Sequence, residues 1–295
     1  MDRERDPSSL REAAARIGKH WEMHCGGRSL SVGGATRLVG ILNVTPASFS
    51  DGGKFAEPGA AVEQGKRMVA EGAAMIDVGG QSTRPGHREI SAEEEIARVC
   101  PVLVRLAEAV TVPISIDTYK PEVARAALAA GAQVLNDVNG LQGDPGMAAV
   151  AAERGCPVIL MHRAREFAQA AGGTMERIAL FFARSLEIAR RAGVGEDRII
   201  LDPGIGFSKT QAQNLEILGR LEDLRALGRP LLIGVSRKSV IGNVAGGLPE
   251  ERLEGTLATT VLAVVQGVEF VRVHDVRANA RAVAMAQAIL HASAR

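Results

Sequence analysis

The sequence predicts a single-domain α/β protein with the (β/α)₈ TIM-barrel fold, carrying a short N-terminal extension and a hairpin ahead of the barrel. Short, continuously apolar runs alternate with longer amphipathic stretches, which is typical of buried parallel strands and the helices that cover them. Glycine repeatedly stands between a helix and the next strand, at the C′ position that favours left-handed backbone: Gly72, Gly131, Gly155, Gly228 and Gly267. An open doubly wound sheet is the alternative fold.

The predicted elements follow one another without a linker. Residues 1–20 form an N-terminal extension, in which the spacing of Ser9 and Glu12 favours a short helix. Residues 21–295 form the barrel domain, and residues 21–36 within it predict a Gly-turn hairpin that could close the barrel bottom. Ser91 and Glu94 open one helical stretch as a capping box. The eight predicted strands are LVGILN (38–43), AMIDV (74–78), PISID (113–117), QVLND (133–137), PVILM (157–161), RIILD (198–202), PLLIGVS (230–236) and EFVRV (269–273).

Composition excludes several classes of function. A formal net charge of +1 argues against a nucleic-acid binder, which usually carries a basic face. The N-terminus lacks the apolar core of a signal peptide, and no apolar run reaches the ~20 residues that cross a membrane. We therefore expect a soluble, cytoplasmic protein without membrane partners. The three cysteines are far apart and indicate reduced thiols, and the six histidines show no HExxH zinc motif.

Polar residues end six of the eight predicted strands, and in a barrel these ends meet at one mouth, where barrel enzymes place their sites. A helix N-cap is the competing interpretation for any one of them, Asp117 and Asp137 in particular. Six such ends together favour a site. The strand-end residues are Asn43, Asp117, Asn136, Asp137, Asp202, and the runs 236–239 and 272–275.

These side chains divide into two chemical sets. Asn43, Arg272 and His274 could hold a phosphate or diphosphate with its Mg²⁺, because arginine offers a fork of donors and an amide oxygen suits magnesium. The second set offers carboxylates and an amide beside one ammonium group, which suits a flat heterocycle such as a pterin or a purine: Asp117, Asn136, Asp202 and Lys238.

Two loops on the same face are rich in Gly, Ser and Pro, namely residues 44–54 and 79–86. Each carries one charge of interest, Asp51 in the first and Arg84 in the second. Ordinary surface turns are one interpretation; their place on the catalytic face favours lids that close over a substrate. Neither a GxxxxGK[ST] phosphate loop nor a GxGxxG motif after a strand is present.

The strand ends and loops resemble those of the dihydropteroate synthases, folate-pathway enzymes of the pterin-binding TIM-barrel family and targets of the sulfonamides. The resemblance covers the whole barrel in the family's order but not the first twenty residues. It rests on GILNVTPASFSDGG (40–53), IDVGGQSTRPG (76–86), SIDTYKPEVA (115–124), LND (135–137), ILMH (159–162), ILDPGIGF (200–207), SRKS (236–239) and FVRVHD (270–275).

The resemblance implies a transferase that joins 4-aminobenzoate to the methylene carbon of 6-hydroxymethyl-7,8-dihydropterin diphosphate and releases diphosphate. The family is held to follow a dissociative, SN1-like course with Mg²⁺ and commonly forms homodimers, which the Ala-rich helices near 255–292 would suit. Lys238, Asp51 and Arg84 are implied as catalytic. The pterin pocket is assigned to Asp117, Asn136, Met161, Asp202 and Lys238; the diphosphate to Arg272 and His274; Mg²⁺ to Asn43; the lids to Phe49 with Asp51 and to Thr83 with Arg84; and the 4-aminobenzoate site to Phe207 and Ser239.

Two departures from the family pattern each remove a carboxylate. Ala47 stands where the family usually has Asp, and Gln81 stands where it usually has Glu. An inactive or weakly active pterin-binding paralogue is therefore one rival interpretation. A pterin-dependent methyltransferase domain is the other, although it should lack the diphosphate-binding set and the NVTPxSFSDGG loop. Sulfonamide sensitivity does not follow from the sequence.

Overall fold

The computed structural model describes residues 20–44, 58–81, 89–164, 167–168 and 171–293. The helix predicted within the N-terminal extension lies outside these residues. The predicted hairpin is confirmed: β1 (Trp21–Cys25) pairs antiparallel with β2 (Arg28–Val32) across a Gly-Gly turn. Both turn glycines, Gly26 and Gly27, have positive φ (52° and 85°), which residues with a side chain rarely adopt.

Eight parallel strands form the barrel, and each is adjacent in the ring to the strands before and after it in sequence. A parallel bridge between Leu201 and Leu231 joins the sixth barrel strand to the seventh, and Leu201 N donates to Pro230 O there at 2.9 Å. The ring therefore closes, which confirms a barrel and not an open doubly wound sheet. The strands are β3 (Arg37–Asn43), β4 (Ala73–Gly79), β5 (Ile114–Asp117), β6 (Val134–Asp137), β7 (Val158–Met161), β8 (Ile199–Asp202), β9 (Leu232–Ile233) and β10 (Phe270–Val273).

Helices follow the barrel strands as predicted, and all five glycines named above have positive φ. Ser91 caps its helix by accepting from Glu94 N at 3.2 Å, while the Glu94 carboxylate pairs with Arg98 at 2.5 Å. The Ser91 cap is thus confirmed, and the Glu94 carboxylate of the predicted capping box pairs with a residue one turn further along the helix. The helices are α1 (Pro58–Ala70), α2 (Ala92–Ala109), α3 (Pro121–Ala129), α4 (Pro145–Arg154), α5 (Thr174–Ala192), α6 (Gln211–Gly219), α7 (Ser239–Ala245), α8 (Leu253–Val265) and α9 (Val276–Ser293).

The seventh barrel strand is shorter than its apolar run predicts. Residues 230–236 were expected to pair, but β9 covers only Leu232–Ile233. The backbone then turns, with Arg237 in left-handed conformation (φ 60°) and Lys238 N bonded to Val235 O at 3.0 Å. A tight turn cannot keep the ladder geometry, so the chain leaves the sheet before its apolar run ends.

The hairpin closes the bottom of the barrel, as predicted. Four of its side chains, Met23, Cys25, Leu30 and Val32, are at most 6% exposed and pack in one apolar cluster. Arg28 fixes the hairpin from outside by donating to the carbonyl of Ala107 in α2 at 2.7 Å and to that of Val110, the C-cap residue of this helix, at 2.8 Å. The barrel residues of that cluster are Val39, Met75, Val134, Ile159, Ile200, Leu232 and Phe270.

A second, larger apolar cluster fills the space between the barrel strands and the surrounding helices. All three cysteines are free thiols, as expected, and Cys25 and Cys156 are buried. Burial raises the pKa of both buried thiols to about 11. Among the described helices, none combines the length and apolar character that a membrane crossing requires.

Candidate active site

The interior of the barrel changes from apolar to polar over a step of two residues. The barrel residues that pack against the hairpin point into the interior at its bottom. Because side chains alternate along a strand, the residue two positions further along each strand also points into the barrel interior. On most strands that next residue is polar or small, and together these residues form a layer across the barrel, which we call the polar layer. Its members are Asp77, Asn136, Asp202, Gly234 and Arg272, together with Ser115, which bonds to Asp77; the residues at the same level on β3 and β7, Ile41 and Met161, are apolar.

Asp77 is the hub of the polar layer, and its side chain is fully buried. Its Oδ1 accepts from Ser115 Oγ at 2.6 Å. Its Oδ2 accepts from Asn136 Nδ2 at 3.1 Å and from Arg272 Nε at 2.5 Å. Sequence reasoning missed this residue. The available signal was a carboxylate inside the apolar run AMIDV, two residues beyond buried Met75, where only a paired charge is tolerated.

Arg272 links the two chemical sets that the sequence separated. Its Nη2 donates to Asp117 Oδ2 at 2.9 Å while its Nε donates to Asp77. Burial of the guanidinium opposes its charge, but the two carboxylates outweigh burial and raise the pKa of Arg272. The diphosphate role predicted for Arg272 stays a prediction, and its guanidinium lies among the carboxylates of the heterocycle pocket.

Asp117 has one carboxylate oxygen engaged and one buried without a hydrogen-bond partner among the described residues, namely Oδ1. Burial raises the pKa of Asp117 to about 7, although Arg272 and Lys238 act in the opposite direction. Asp117 does not cap the following helix, whose N-cap residue is Lys120. The capping interpretation is therefore wrong for this residue, and an unpaired buried acceptor points to a ligand with an N–H donor.

Asn43 lies close to Asp117 at the mouth. The strand register places Asn43 opposite Gly79, and Gly79 opposite Asp117. A Cβ on Gly79 would lie 3.7 Å from Asn43 Oδ1 and 3.7 Å from Asp117 Cβ. Glycine at this position leaves the space between the amide and the carboxylate open.

Lys238 approaches the pocket from the loop after β9. Its Nζ donates to Ile205 O at 2.6 Å and lies 4.4 Å from the centroid of the Phe207 ring. Burial lowers the pKa of Lys238 to about 8, with Asp202 acting to raise it. Asp202 Oδ1 accepts from Gly204 N at 2.7 Å, and burial raises its pKa. The structure thus brings the predicted ammonium and carboxylate together.

His274 and its neighbours form the part of the mouth between the ends of β9 and β3. Ser236 Oγ lies 3.0 Å from His274 Nδ1 and also accepts from His274 N at 3.2 Å. One residue further along each strand end, Arg237 forms a two-point ion pair with Asp275, at 3.0 and 2.5 Å. These contacts tie the ends of β9 and β10 together, and Ser239 begins α7 directly after Lys238.

Not every strand-end carboxylate faces the pocket. Asp137 accepts from Asn139 N at 2.8 Å and from Leu141 N at 2.7 Å, and Leu141 has positive φ (62°). Burial raises the pKa of Asp137 to about 6. Its side chain shapes its own loop, and the N-cap of the next helix is Asp144.

The lid residues Phe49, Asp51, Thr83 and Arg84 lie outside the described residues, as does Ala47. Gln81 is described and nearly buried. Its Oε1 accepts from Lys120 Nζ at 2.8 Å, and its Nε2 donates to Tyr119 OH at 2.9 Å. Lys120 Nζ also pairs with Glu95 at 2.8 Å. The residue that departs from the family pattern is therefore built into a polar cluster beside the barrel mouth.

The chain matches the family described as pterin binding enzyme over residues 39–274. A dihydropteroate synthase from Clostridium beijerinckii is 48% identical over 270 residues, which are 91% of this chain and 99% of that protein. A Clostridium difficile dihydropteroate synthase solved in the presence of pteroic acid aligns with TM-score 0.85 and 49% identity, covering 88% of this chain and 98% of that one. A Xanthomonas albilineans dihydropteroate synthase solved with 4-aminobenzoic acid aligns with TM-score 0.87 and 42% identity, covering 92% and 98%.

The fold and the site thus define a pterin-binding barrel enzyme. The chain belongs to the pterin binding enzyme family and, within it, to the dihydropteroate synthases, whose activity is that of a transferase.

Proposed function

We propose that this chain joins 6-hydroxymethyl-7,8-dihydropterin diphosphate to 4-aminobenzoate, forming 7,8-dihydropteroate and diphosphate by a dissociative, SN1-like substitution. Relatives solved with pteroic acid, which contains both halves of the product, and with 4-aminobenzoic acid support this assignment. The cytoplasm stays its predicted location.

The observation that carries the proposal is the composition of the buried pocket. Asp117 Oδ1 is a buried acceptor without a partner among the described residues, Asn136 lies beside Asp117 on the next strand, and Asp202 lies two strands beyond Asn136. A pterin ring presents several N–H donors beside one carbonyl oxygen, so it can satisfy the carboxylates while Lys238 donates to its acceptors. Burial makes each such hydrogen bond strong and each unmatched one costly, which favours this ring over one with fewer donors.

The substitution needs no covalent nucleophile from the protein. The bond between the pterin methylene carbon and the diphosphate oxygen breaks, and its electron pair leaves on the oxygen. The amine nitrogen of 4-aminobenzoate then forms the new C–N bond and releases one proton. Carboxylates of Asp77, Asp117 and Asp202 lie on the pterin side, where they disperse the positive charge that develops on the pterin methylene. His274 lies on the diphosphate side, where a donor stabilises the leaving group.

Magnesium is proposed to assist at Asn43. Among the described residues no cluster of three or more His, Cys, Asp or Glu could hold a metal by itself. One amide oxygen at an open mouth fits Mg²⁺, which keeps several waters and takes further oxygens from substrate phosphates. When bound there, Mg²⁺ supplies positive charge against the departing diphosphate.

The 4-aminobenzoate site is proposed to form between Phe207, Ser239 and the two loops. Phe207 presents its ring beside Lys238, and Ser239 follows Lys238 at the start of α7. Asp51 and Arg84 are proposed to act from the loops, with Phe49 and Thr83 beside them.

A steady-state assay tests the proposal. The purified chain is supplied with the dihydropterin diphosphate, 4-aminobenzoate and Mg²⁺, and both diphosphate and 7,8-dihydropteroate are measured. We expect the two products in equal amounts, with a loss of at least about 100-fold in Asp202→Asn. Tight binding of the pterin without release of diphosphate would instead identify a pterin-binding paralogue. Near-normal turnover in both Asp202→Asn and Lys238→Ala would remove the pocket assignment.

The dissociative course has its own test. A dihydropterin diphosphate carrying ¹⁸O in the bridging position is incubated with the enzyme and Mg²⁺ without 4-aminobenzoate. Reversible cleavage before amine attack should move the label into non-bridging positions. A label that stays in the bridge while full turnover proceeds normally would favour direct displacement.

We also propose that two copies of the chain form a homodimer through α8 and α9. These adjacent helices leave large apolar side chains exposed, among them Leu262 at 40%, Met285 at 63% and Ile289 at 47%. A contiguous patch of exposed apolar side chains usually marks a surface that binds another protein. Sedimentation velocity should give a dimer for the wild type and a monomer for Met285→Glu with Ile289→Glu. A monomeric wild type at micromolar concentration would contradict the proposal.

A further inference from the structure

Lys209 is a largely buried lysine that no part of the proposed reaction uses. Its Nζ lies within hydrogen-bond distance of three backbone carbonyl oxygens: Gly204 O at 2.8 Å, Phe207 O at 3.1 Å and His162 O at 3.3 Å. The same ammonium lies 5.4 Å from the centroid of the Phe167 ring. One side chain therefore connects the segment after β8 to the segment after β7.

The backbone around Lys209 has the shape that such a cation needs. Positive φ recurs at every second residue, at Gly204 (66°), Gly206 (84°) and Ser208 (52°). This alternation turns the carbonyls of Gly204 and Phe207 towards one point. A Cβ at position 204 would lie 2.2 Å from His162 O, so the two segments approach as closely as glycine permits.

Converging carbonyl oxygens repel one another unless a donor group lies between them. Lys209 supplies three N–H donors and a positive charge at that point. Within the described residues His162 Nδ1 is buried without a partner, and the ring of His162 packs edge-on against Phe167 and Phe181 at 4.5 and 4.6 Å. Burial lowers the pKa of His162 to about 3 and the pKa of Lys209 to about 7, so the imidazole stays neutral and the Lys209 ammonium carries its charge below about pH 7. The Arg177 guanidinium lies 4.2 Å from the centroid of the same Phe167 ring.

The loop that Lys209 holds is the one that positions Lys238. Ile205, between the two clamped carbonyls, accepts the hydrogen bond from Lys238 Nζ at 2.6 Å. Phe207 offers its ring to the same ammonium at 4.4 Å, and a Cβ on Gly206 would touch Lys238 Cδ at 3.1 Å. Ile205 and Phe207 therefore contact Lys238, Gly206 between them leaves room for its side chain, and all three residues lie inside the segment that Lys209 fixes.

We propose that Lys209 is a positioning residue of the pterin pocket: its ammonium fixes the loop 204–207 and thereby places Lys238 beside Asp202. The inference rests on the proposed function for its meaning in catalysis, and on the geometry alone for its effect on pterin binding. Lys209 touches no proposed substrate atom. Its effect should pass through Lys238 and Asp202 to the pterin half of the reaction.

A merely structural lysine would behave differently in two measurable respects. Loss of general packing affects both substrates and overall stability together, whereas loss of Lys238 placement affects the pterin more strongly than 4-aminobenzoate. Burial raises the pKa of Asp202, and the positive charges of Lys238 and Lys209 act against that rise. Removing the charge of Lys209 should therefore raise the pKa of Asp202 and move the acidic limb of the activity profile to higher pH.

The test compares Lys209→Met, which removes the donors and the charge, with Lys209→Gln, which keeps a donor, and Lys209→Arg, which keeps both. Lys66→Met serves as the matched control, because Lys66 is exposed and pairs with Glu63 on the same helix. Pterin affinity is measured by titration calorimetry with 6-hydroxymethylpterin, KM is measured for each substrate, and kcat/KM is measured from pH 5 to 9.

For Lys209→Met we expect pterin binding to weaken roughly tenfold or more, the scale of one charge-assisted hydrogen bond. The KM for 4-aminobenzoate should rise by less than the loss of pterin affinity, because Phe207 is the one residue of the fixed loop that belongs to the proposed 4-aminobenzoate site, whereas the placement of Lys238 affects the pterin directly. Lys209→Arg should recover part of the pterin affinity and keep the acidic limb of the wild type. Lys209→Gln should recover part of the pterin affinity but not the acidic limb. Lys66→Met should match the wild type in both measurements. If Lys209→Met does not fold, Lys209→Gln carries the comparison.

Two outcomes would overturn the proposal. One is pterin affinity within about twofold of the wild type and an unmoved pH profile in the neutral variants. The other is an equal loss for both substrates with no recovery in Lys209→Arg, which would mark a general structural role. Because the calorimetric arm needs no turnover, an inactive wild type would defeat the proposed function and leave the test of Lys209 intact.

Discussion

Asp77 Oδ2 accepts from Arg272 Nε at 2.5 Å, although the two residues lie 195 positions apart in the chain. The pair joins β4 to β10 across the interior of the barrel, in a place where apolar packing ends and the site begins. Arg272 also donates to Asp117, so one guanidinium holds two carboxylates. The pocket is therefore assembled before any ligand arrives, and its carboxylates keep their places because Arg272 offsets their charge.

Asp77→Asn should weaken both the fold and the pocket. The substitution keeps the shape but removes a fully buried charge that faces Arg272, leaving Asp117 as its remaining partner. We expect the free energy of unfolding in urea to fall by about 2 kcal/mol, less than for a pair broken outright. Glu63→Gln, which breaks the exposed pair with Lys66, should change it by less than about 0.5 kcal/mol. Equal stability of Asp77→Asn and the wild type would show that Asp77 is not the hub.

Asp117 should make the ligand-free protein less stable as pH rises from about 4 to about 7. Its pKa is about 7 in the folded chain and 3.8 when unperturbed, because burial opposes its charge. Between these values the folded state binds more protons than the unfolded state, so stability falls with rising pH. Below about pH 4 Asp117 is protonated in both states, so its effect on stability no longer changes with pH.

Asp117→Asn isolates this contribution from other buried carboxyl groups that titrate in the same range. The stability of the variant relative to the wild type should increase from pH 4 to pH 7, while its pterin affinity falls. Thermal unfolding followed across that range gives the difference directly. A difference that is constant with pH would contradict the raised pKa of Asp117.

Much of this site follows from sequence periodicity alone. Asn43, Asp117, Asn136 and Asp202 stand at the ends of apolar runs, and parallel strands bring such ends together. Asp77 was missed for a definable reason: it lies within its run, two residues before the strand ends, and its partner Arg272 is remote in sequence. Only closure of the barrel brings those two residues into contact.

Lys238 should set the basic limb of activity. Burial lowers its pKa to about 8, so the ligand-free enzyme loses the ammonium as pH rises through that value. We expect kcat/KM for the dihydropterin diphosphate to fall above about pH 8, since the charged form donates to the pterin. In Lys238→Arg the remaining activity should persist to higher pH, because a guanidinium keeps its proton. A basic limb at the same pH in that variant would assign the titration to another group.

Gln81→Glu should change little, although it restores the acid usual in the family. Gln81 Oε1 already accepts from Lys120, and Glu95 already balances that ammonium. The new carboxylate would also lose the donation to Tyr119 OH. We expect kcat and the KM for 4-aminobenzoate within about threefold of the wild type, typical of a change away from the reacting atoms. A tenfold gain in kcat would show that Gln81 limits the enzyme, and Ala47→Asp tests the other departure in the same assay.

Other parts of the molecule could not be predicted from local patterns. The run PLLIGVS predicts seven paired residues, but the turn at Arg237 ends β9 after Ile233. Lys209 carries no strand-end signal at all, and its importance emerges only from three carbonyls that converge in space. Sequence patterns report burial and period, whereas these features depend on how two loops approach each other.

A crystal structure of the enzyme with the pterin and diphosphate bound tests the central claim most directly. The account predicts the pterin ring within the polar layer, with one ring N–H within about 3.2 Å of Asp117 Oδ1 and Lys238 donating to a ring acceptor. Diphosphate should lie on the Asn43 and His274 side of the mouth. A pterin bound elsewhere, or an Asp117 Oδ1 that stays without a partner in the complex, would contradict it.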